Sequence, residues 1–325
     1  PATENVTITP PTVEETVTIV DSANRYVTIK KPISRVVVLN SDAATAIMLL
    51  NASDVVVGVS DVVAQYPKFF RNLSKLTCVG KWNNPDYEKI IELKPELVIS
   101  YVKWPGLEIE EKLEPLGIKV LRLDLYVPSR MIQEIKVLGV VLGKEKEAEF
   151  ICQWINNLSN LVAERLKSLK EGDKVRTYLE GYGKWSSAGP GSGQYDLAIM
   201  AGLKPIGEFT TSYPKVDAEW VVRQNPDLIM KMVTGNPLEL NASYYESVRK
   251  DIASRLSETN AVKNGRVFIL SGRLAFTPSF PIAALCVAKF AYPELFHDLD
   301  PKTYLREYLH FLGLELEGVW WYPEF

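Results

Sequence analysis

The stretch DYEKIIELKPELVI at residues 86–99 returns, 131 residues later and without a gap, as DAEWVVRQNPDLIM at 217–230. In each copy an aspartate, Asp86 or Asp217, stands where a helix N-cap belongs. An apolar pair, Ile90/Ile91 or Val221/Val222, supplies one buried face, and Lys94-Pro95 or Asn225-Pro226 stops the helix. An apolar run follows at once, which predicts a buried strand. Each phrase therefore spells one helix–strand unit, and its recurrence predicts two lobes built on one design.

The surrounding pattern agrees. TVTIVDSANRYVTI alternates on both sides of an Asp/Ser/Asn cluster and predicts a hairpin near 16–29. Short apolar runs at 36–39, 55–59, 97–100 and 119–123 then alternate with helical segments, as parallel strands covered on both faces do. A second set follows: VRTYL from Val175, LKPI from Leu203, DLIMK from Asp227 and RVFIL from Arg266. Between the sets, Ala148, Ile151, Ile155, Leu158, Val162, Leu166 and Leu169 recur every three or four residues. That spacing predicts one amphipathic helix over 144–170, about 40 Å long, after a helix from Ser129 that Gly143 closes. The fold class expected is α/β: two parallel-sheet lobes with helices on both faces, joined by one rigid helix, with a ligand cleft between them. The boundaries expected are a flexible tether at 1–15, a first lobe at 16–142, the joining helix at 143–172 and a second lobe at 173–325.

A chain of 325 residues exceeds a single usual core, and its net charge of -3 gives no electrostatic reason to expect nucleic acid. No apolar run is long enough to span a membrane. The opening PATENVTITPPTVEET has the Thr, Pro and Glu content of a tether. Cys78, Cys152 and Cys286, odd in number and widely spaced in apolar surroundings, read as buried thiols rather than a disulfide framework. Asn-x-Ser/Thr triplets begin at Asn5, Asn51, Asn72, Asn157 and Asn241, a motif short enough to arise by chance.

Glu88 and Glu219 fall in the first turn of the repeated helices, where an acid stabilises the helix dipole by about 0.3–1 kcal/mol. A dipole does not need what stands six residues earlier, a large aromatic in each loop: Trp82 and Tyr213. Loops that precede helices at one end of an α/β lobe are where ligand contacts gather.

The paired E-x-(I/V)-(I/V)-x-x-x-P-(E/D)-L-(V/I) phrases resemble the iron-chelate/cobalamin class of substrate-binding proteins of ABC importers. The upstream aromatics, the long central helix and the late segment AKFAYPELFHDLD share that resemblance, which covers roughly residues 17–312. It implies an extracytoplasmic, monomeric, membrane-tethered protein with no catalytic activity and no cofactor of its own. A small-molecule ligand, a metal chelate or corrinoid, would sit between the lobes. Trp82 and Tyr213 would contact that ligand, and Tyr213 departs from the tryptophan of cobalamin binders. Glu88 and Glu219 would meet arginines of a two-fold membrane permease, which explains why one chain carries the phrase twice.

Topology adds residues that follow strand ends: Asn40, Ser41 and Asp42, then Tyr101, Lys103 and Trp104 in the first lobe. The second lobe offers Tyr182, Lys184 and Trp185, then Lys231, then Arg273 and Phe276. Aromatics with cations suit a large, partly flat, anionic ligand. The cargo expected is a ferric siderophore or other iron chelate, then cobalamin or haem, with a molybdate- or tungstate-type oxyanion as the alternative. An α/β enzyme working in the same cleft is the alternative of another class. Its case is weak. GYGKWS at 181–186 has Ser186 where a dinucleotide fingerprint needs its third glycine, and no Lys-Ser pair follows SSAGPGSG to make a phosphate loop. His297 and His310, the two histidines, are too far apart for an imidazole metal site and lie off any expected catalytic loop. The aromatic tail ELEGVWWYPEF is expected to pack back on a lobe.

Overall fold

The computed structural model describes residues 15–325, so the expected tether lies outside the described residues except for Glu15. The expected hairpin is β1 (Glu15–Val20) paired antiparallel with β2 (Tyr26–Lys31), its turn tied by Asp21, which accepts from the amides of Ala23 and Arg25. There follow β3 (Val36–Val38), α1 (Ser41–Leu49), β4 (Val56–Val59), α2 (Asp61–Ala64), α3 (Pro67–Phe70) and β5 (Thr77–Cys78). A small ribbon, β6 (Gly80–Lys81) with β7 (Asn84–Pro85), leads into α4 (Tyr87–Glu92) and β8 (Leu97–Ser100). The lobe continues through α5 (Glu108–Leu113) and β9 (Lys119–Arg122) to α6 (Pro128–Leu142) and α7 (Glu145–Leu166). Its sheet runs β5-β4-β3-β8-β9, all parallel.

The second half comprises β10 (Arg176–Glu180), α8 (Gly193–Met200), β11 (Lys204–Pro205), α9 (Ala218–Gln224) and β12 (Leu228–Val233). Then come α10 (Ala242–Arg255), α11 (Asn260–Lys263), β13 (Val267–Ser271), α12 (Gly272–Ala275), α13 (Phe280–Ala291), α14 (Pro301–Phe311) and β14 (Trp321–Tyr322). Its sheet runs β11-β10-β12-β13-β14, with only β14 antiparallel.

The two copies of the phrase occupy equivalent places. Asp86 caps α4 by accepting from the Lys89 amide, and Asp217 caps α9 by accepting from the Trp220 amide. Each helix leads to a strand flanked by parallel neighbours on both sides, β8 between β3 and β9, β12 between β10 and β13. Ile90 packs with Val37, Val98 and Val120 on one face of the first sheet, and Val221 packs with Tyr178, Ile229 and Ile269 on one face of the second. The remaining faces share a single apolar cluster that continues through Met131, Leu138, Ile151 and Ile155 of α6 and α7 to Leu285 and Val287 of α13. The lobes are thus joined by packed core as well as by chain.

Helix α7 stops at Leu166 rather than at residue 170. The apolar spacing runs on because Leu169, beyond the end of the helix, still packs beside Leu166 against Gly202. Cys152 and Cys286 are buried, whereas Cys78, on the edge strand β5, is only partly so; all three are free thiols. Both histidines are exposed. The aromatic tail does pack back: β14 completes the second sheet, and Trp320 and Trp321 are almost fully buried. Among the described residues no helix is long and apolar enough to cross a membrane.

Candidate functional site

In a parallel sheet the loops at the carboxyl ends of the strands collect at one edge. Here the two lobes turn those edges toward one another, and an aromatic cluster fills the junction. Trp82 sits at the turn of the β6–β7 ribbon, with its amide donating to Asp61. Its ring meets Tyr101 edge-on at 5.4 Å and Trp104 at 5.8 Å. Tyr101 in turn meets Tyr126 at 5.7 Å, and the hydroxyls of Tyr126 and Tyr213 act on each other across the junction. On the far wall Tyr182 stands against Phe276 at 6.1 Å. Tyr182 can lie there because residue 272 is glycine; a Cβ at Gly272 would come within 2.0 Å of its hydroxyl oxygen. Trp104, Tyr182 and Tyr213 are each about half exposed despite their size, so their faces are open to a ligand.

Two formal charges belong to this cluster. Asp42, in the first turn of α1, accepts a 2.5 Å hydrogen bond from the Tyr101 hydroxyl. Burial raises its carboxyl from 3.8 to about 7, even though Tyr101 and the Arg273 charge pull it down; Asp124 and Glu134 behind it push it up. Arg273, on α12 of the second lobe, reaches across. Its guanidinium lies over the rings of Tyr66, Phe69 and Phe70 at 4.8–5.2 Å and donates to the Val62 carbonyl at 3.5 Å. Burial likewise drives the Tyr101 phenol well above its ordinary value, with Asp42 adding to the effect. That phenol is therefore a donor at neutral pH.

The remaining strand-end residues are engaged differently. Asn40 is fully buried and ties β3 to β9 by donating to the Leu123 carbonyl. Ser41 interacts with the Tyr101 hydroxyl, and Lys103 is exposed beside Trp104. Lys231 is bonded inward, to Glu180 at 3.1 Å and to the carbonyls of Gly181 and Tyr182. Lys184 pairs with Asp251 at 2.6 Å, and the Trp185 ring lies under Arg255, which also pairs with Glu180. Burial would raise the Glu180 carboxyl, but Arg255 and Lys231 hold it below its ordinary value. This network ties β10 to β12 and α10, and through Lys231 it fixes the loop that carries Tyr182.

Tyr66 and Tyr126 escaped the sequence reading. Tyr126 follows β9 as Tyr101 follows β8, so the strand-end rule could have found it; Tyr66 lies between two four-residue helices with no periodic signal. Glu88 and Glu219 are both exposed in the first turns of α4 and α9; Glu219 also pairs with Arg223 at 3.2 Å. Surface concavities of about 460 and 510 Å³ lie elsewhere, one lined by Ile29, Ile33 and Ile118, the other by Asn51, Asn72 and Lys144. Neither shares a residue with the junction. Among the described residues no three His, Cys, Asp or Glu side chains gather to hold a metal.

Residues 36–274 match the family described as periplasmic binding protein. The ABC transporter substrate-binding lipoprotein YvrC of Bacillus subtilis is 28% identical over 290 residues, 87% of each chain. The petrobactin-binding protein YclQ of the same species is 25% identical, over 73% of this chain and 74% of that one. The molybdate-bound structure of MolA from Haemophilus influenzae superposes with a TM-score of 0.80 at 21% identity, covering 93% of this chain and 99% of that chain. At that identity the superposition speaks for the two-lobed fold. With the family matched across most of its length and two such lobes facing one another over an aromatic junction, the chain belongs to the periplasmic binding proteins, a family of binding proteins rather than enzymes.

Proposed function

We propose that this chain is the extracytoplasmic capture protein of an ABC importer, holding a metal chelate in the interlobe cleft and delivering it to a membrane permease. The chelate is a ferric siderophore, or a cobalamin or haem. The observation that carries this reading is the aromatic cluster of Trp82, Tyr101, Trp104, Tyr126 and Tyr213, contributed by both lobes and left partly open. Large aromatic faces with a few convergent polar groups suit a bulky, partly flat ligand. Glu88 and Glu219, exposed on the repeated helices, are the pair that would dock on the permease. The relatives named for ABC transport and for petrobactin binding support the same reading. The protein acts as a monomer, held at the outer face of the membrane through its N-terminal side.

Two variants separate docking from binding. Reversing both charges, Glu88→Lys with Glu219→Lys, should abolish uptake in cells while leaving affinity unchanged in titration; lost affinity would put these acids in the ligand site instead. Trp82→Ala should weaken binding of the transported chelate by about 1–3 kcal/mol, the scale of a buried aromatic anchor. Unchanged affinity removes Trp82 from the site.

A further inference from the structure

Two charged groups of the cleft, an acid and a guanidinium, have no ion-pair partner among the described residues, and their arrangement bears on the charge of the cargo. Asp42 comes from the first lobe and Arg273 from the second; each acts on the other electrostatically, yet among the described residues neither has an ion-pair partner. The other cations that could have joined Arg273 are neutralised in place. Lys231 is bound to Glu180, Lys184 to Asp251, and Arg130 to Asp124. Arg122 is bonded to Glu110 and to the carbonyls of Tyr101 and Pro105, and Lys103 stands exposed at the rim. Behind Asp42 lie two further acids, Asp124 and Glu134. Beside them stand phenol hydroxyls and the Ser41 hydroxyl, which both donate and accept.

A site of this kind disfavours a ligand with several negative charges: Asp124 is already paired with Arg130, but among the described residues Asp42 and Glu134 have no cationic partner, and of the interior cations Arg273 alone stands unpaired to meet an anion. It offers instead an acceptor from one lobe, Asp42, and a donor from the other, Arg273, amid aromatic faces. A carboxamide edge satisfies such a pair without carrying charge, and the oxygens of a metal-bound hydroxamate accept from Arg273. We propose that the cargo is a metal chelate of low net charge whose periphery both donates and accepts hydrogen bonds, and that polyanionic chelates and oxyanions are excluded. This rests on the chelate reading above and narrows it. The upward shift of the Asp42 carboxyl, to about 7, fits, since a carboxyl near its midpoint at neutral pH can itself donate or accept.

The test is a titration of the purified chain, followed by tryptophan fluorescence and calorimetry, with four probes. Cyanocobalamin and a neutral ferric trihydroxamate represent low charge with amide or hydroxamate edges; a ferric tris(catecholate) and molybdate represent multiple negative charge. At least one low-charge chelate should bind on the order of 100-fold more tightly than either anion. Asp42→Asn should narrow that gap by about tenfold, because it lifts the repulsion on the anions. A tris(catecholate) that binds as tightly as the neutral chelates overturns this inference and leaves the chelate reading standing, as does an Asp42→Asn variant with an unchanged gap. Tight binding of molybdate alone, or of none of the four, overturns the chelate reading and this inference with it.

Discussion

Asp42 is a carboxyl placed where water reaches it poorly, and its energetics can be followed with no ligand present. Its value in the folded protein, about 7, lies above the 3.8 of an unburied aspartate, chiefly through burial. The folded state therefore binds the extra proton between these values, and the contribution of Asp42 to stability falls as pH rises through that window. Asp42→Asn carries no charge to desolvate and can still accept from Tyr101. It should be more stable than the parent by roughly 1–3 kcal/mol at alkaline pH, with the difference vanishing toward pH 4. Urea unfolding at several pH values measures this; a pH-independent difference would mean that Asp42 is solvated. Such instability is what an acid buried without a cationic partner costs.

At the scale of elements, the repeated phrase was legible because its physics is local. An aspartate cap, an apolar pair one turn on and a proline that breaks the helix act within a dozen residues, and both copies form the expected helix and strand. The strand-end residues were only half legible. Asp42, Tyr101, Tyr182, Arg273 and Phe276 meet at the junction, while Lys184, Trp185 and Lys231, equally close to strand ends, join an ion network with Glu180, Arg255 and Asp251. Their directions depend on partners distant in sequence, Asp251 for Lys184, Arg255 for Trp185 and Glu180 for Lys231, and no local pattern announces those partners. The network can be tested at this scale. Lys231→Met removes one counter-charge of a buried carboxylate that keeps Arg255, and should cost about 3 kcal/mol in denaturant unfolding. Ligand affinity should change only as far as the Tyr182 loop loosens. Full stability with a large loss of affinity would instead make Lys231 a direct ligand contact.

At the scale of the molecule, the question is what holds two lobes around a gap. The continuous core through α6, α7 and α13 supplies one tie. A second lies in the segment from Asp61 to Arg71: Phe69 packs against Trp320 at 6.4 Å, the Arg71 guanidinium donates to the Gly313 carbonyl, and Tyr66 and Phe70 lie under Arg273. Periodicity could not have foretold this tie, because the tail residues that make it are far from their partners in sequence. Trp320 belongs to both lobes at once, buried in the second and touching the first. Truncating it to alanine should therefore do two things. It should remove a large buried aromatic, at a cost of about 3–5 kcal/mol. It should also free the first lobe's segment, so that amides of 61–71 exchange with solvent faster than those of β3 or β8, which lie in the same lobe but not at the seam. Hydrogen exchange resolved by residue separates the two effects. If the segment 61–71 exchanges as in the parent while stability drops, Trp320 is a core residue of the second lobe alone, and the lobes are held only by the helices behind them. If the segment is selectively released, the lobes are held together by two ties, one of helix packing behind them and one of aromatic contact at the seam.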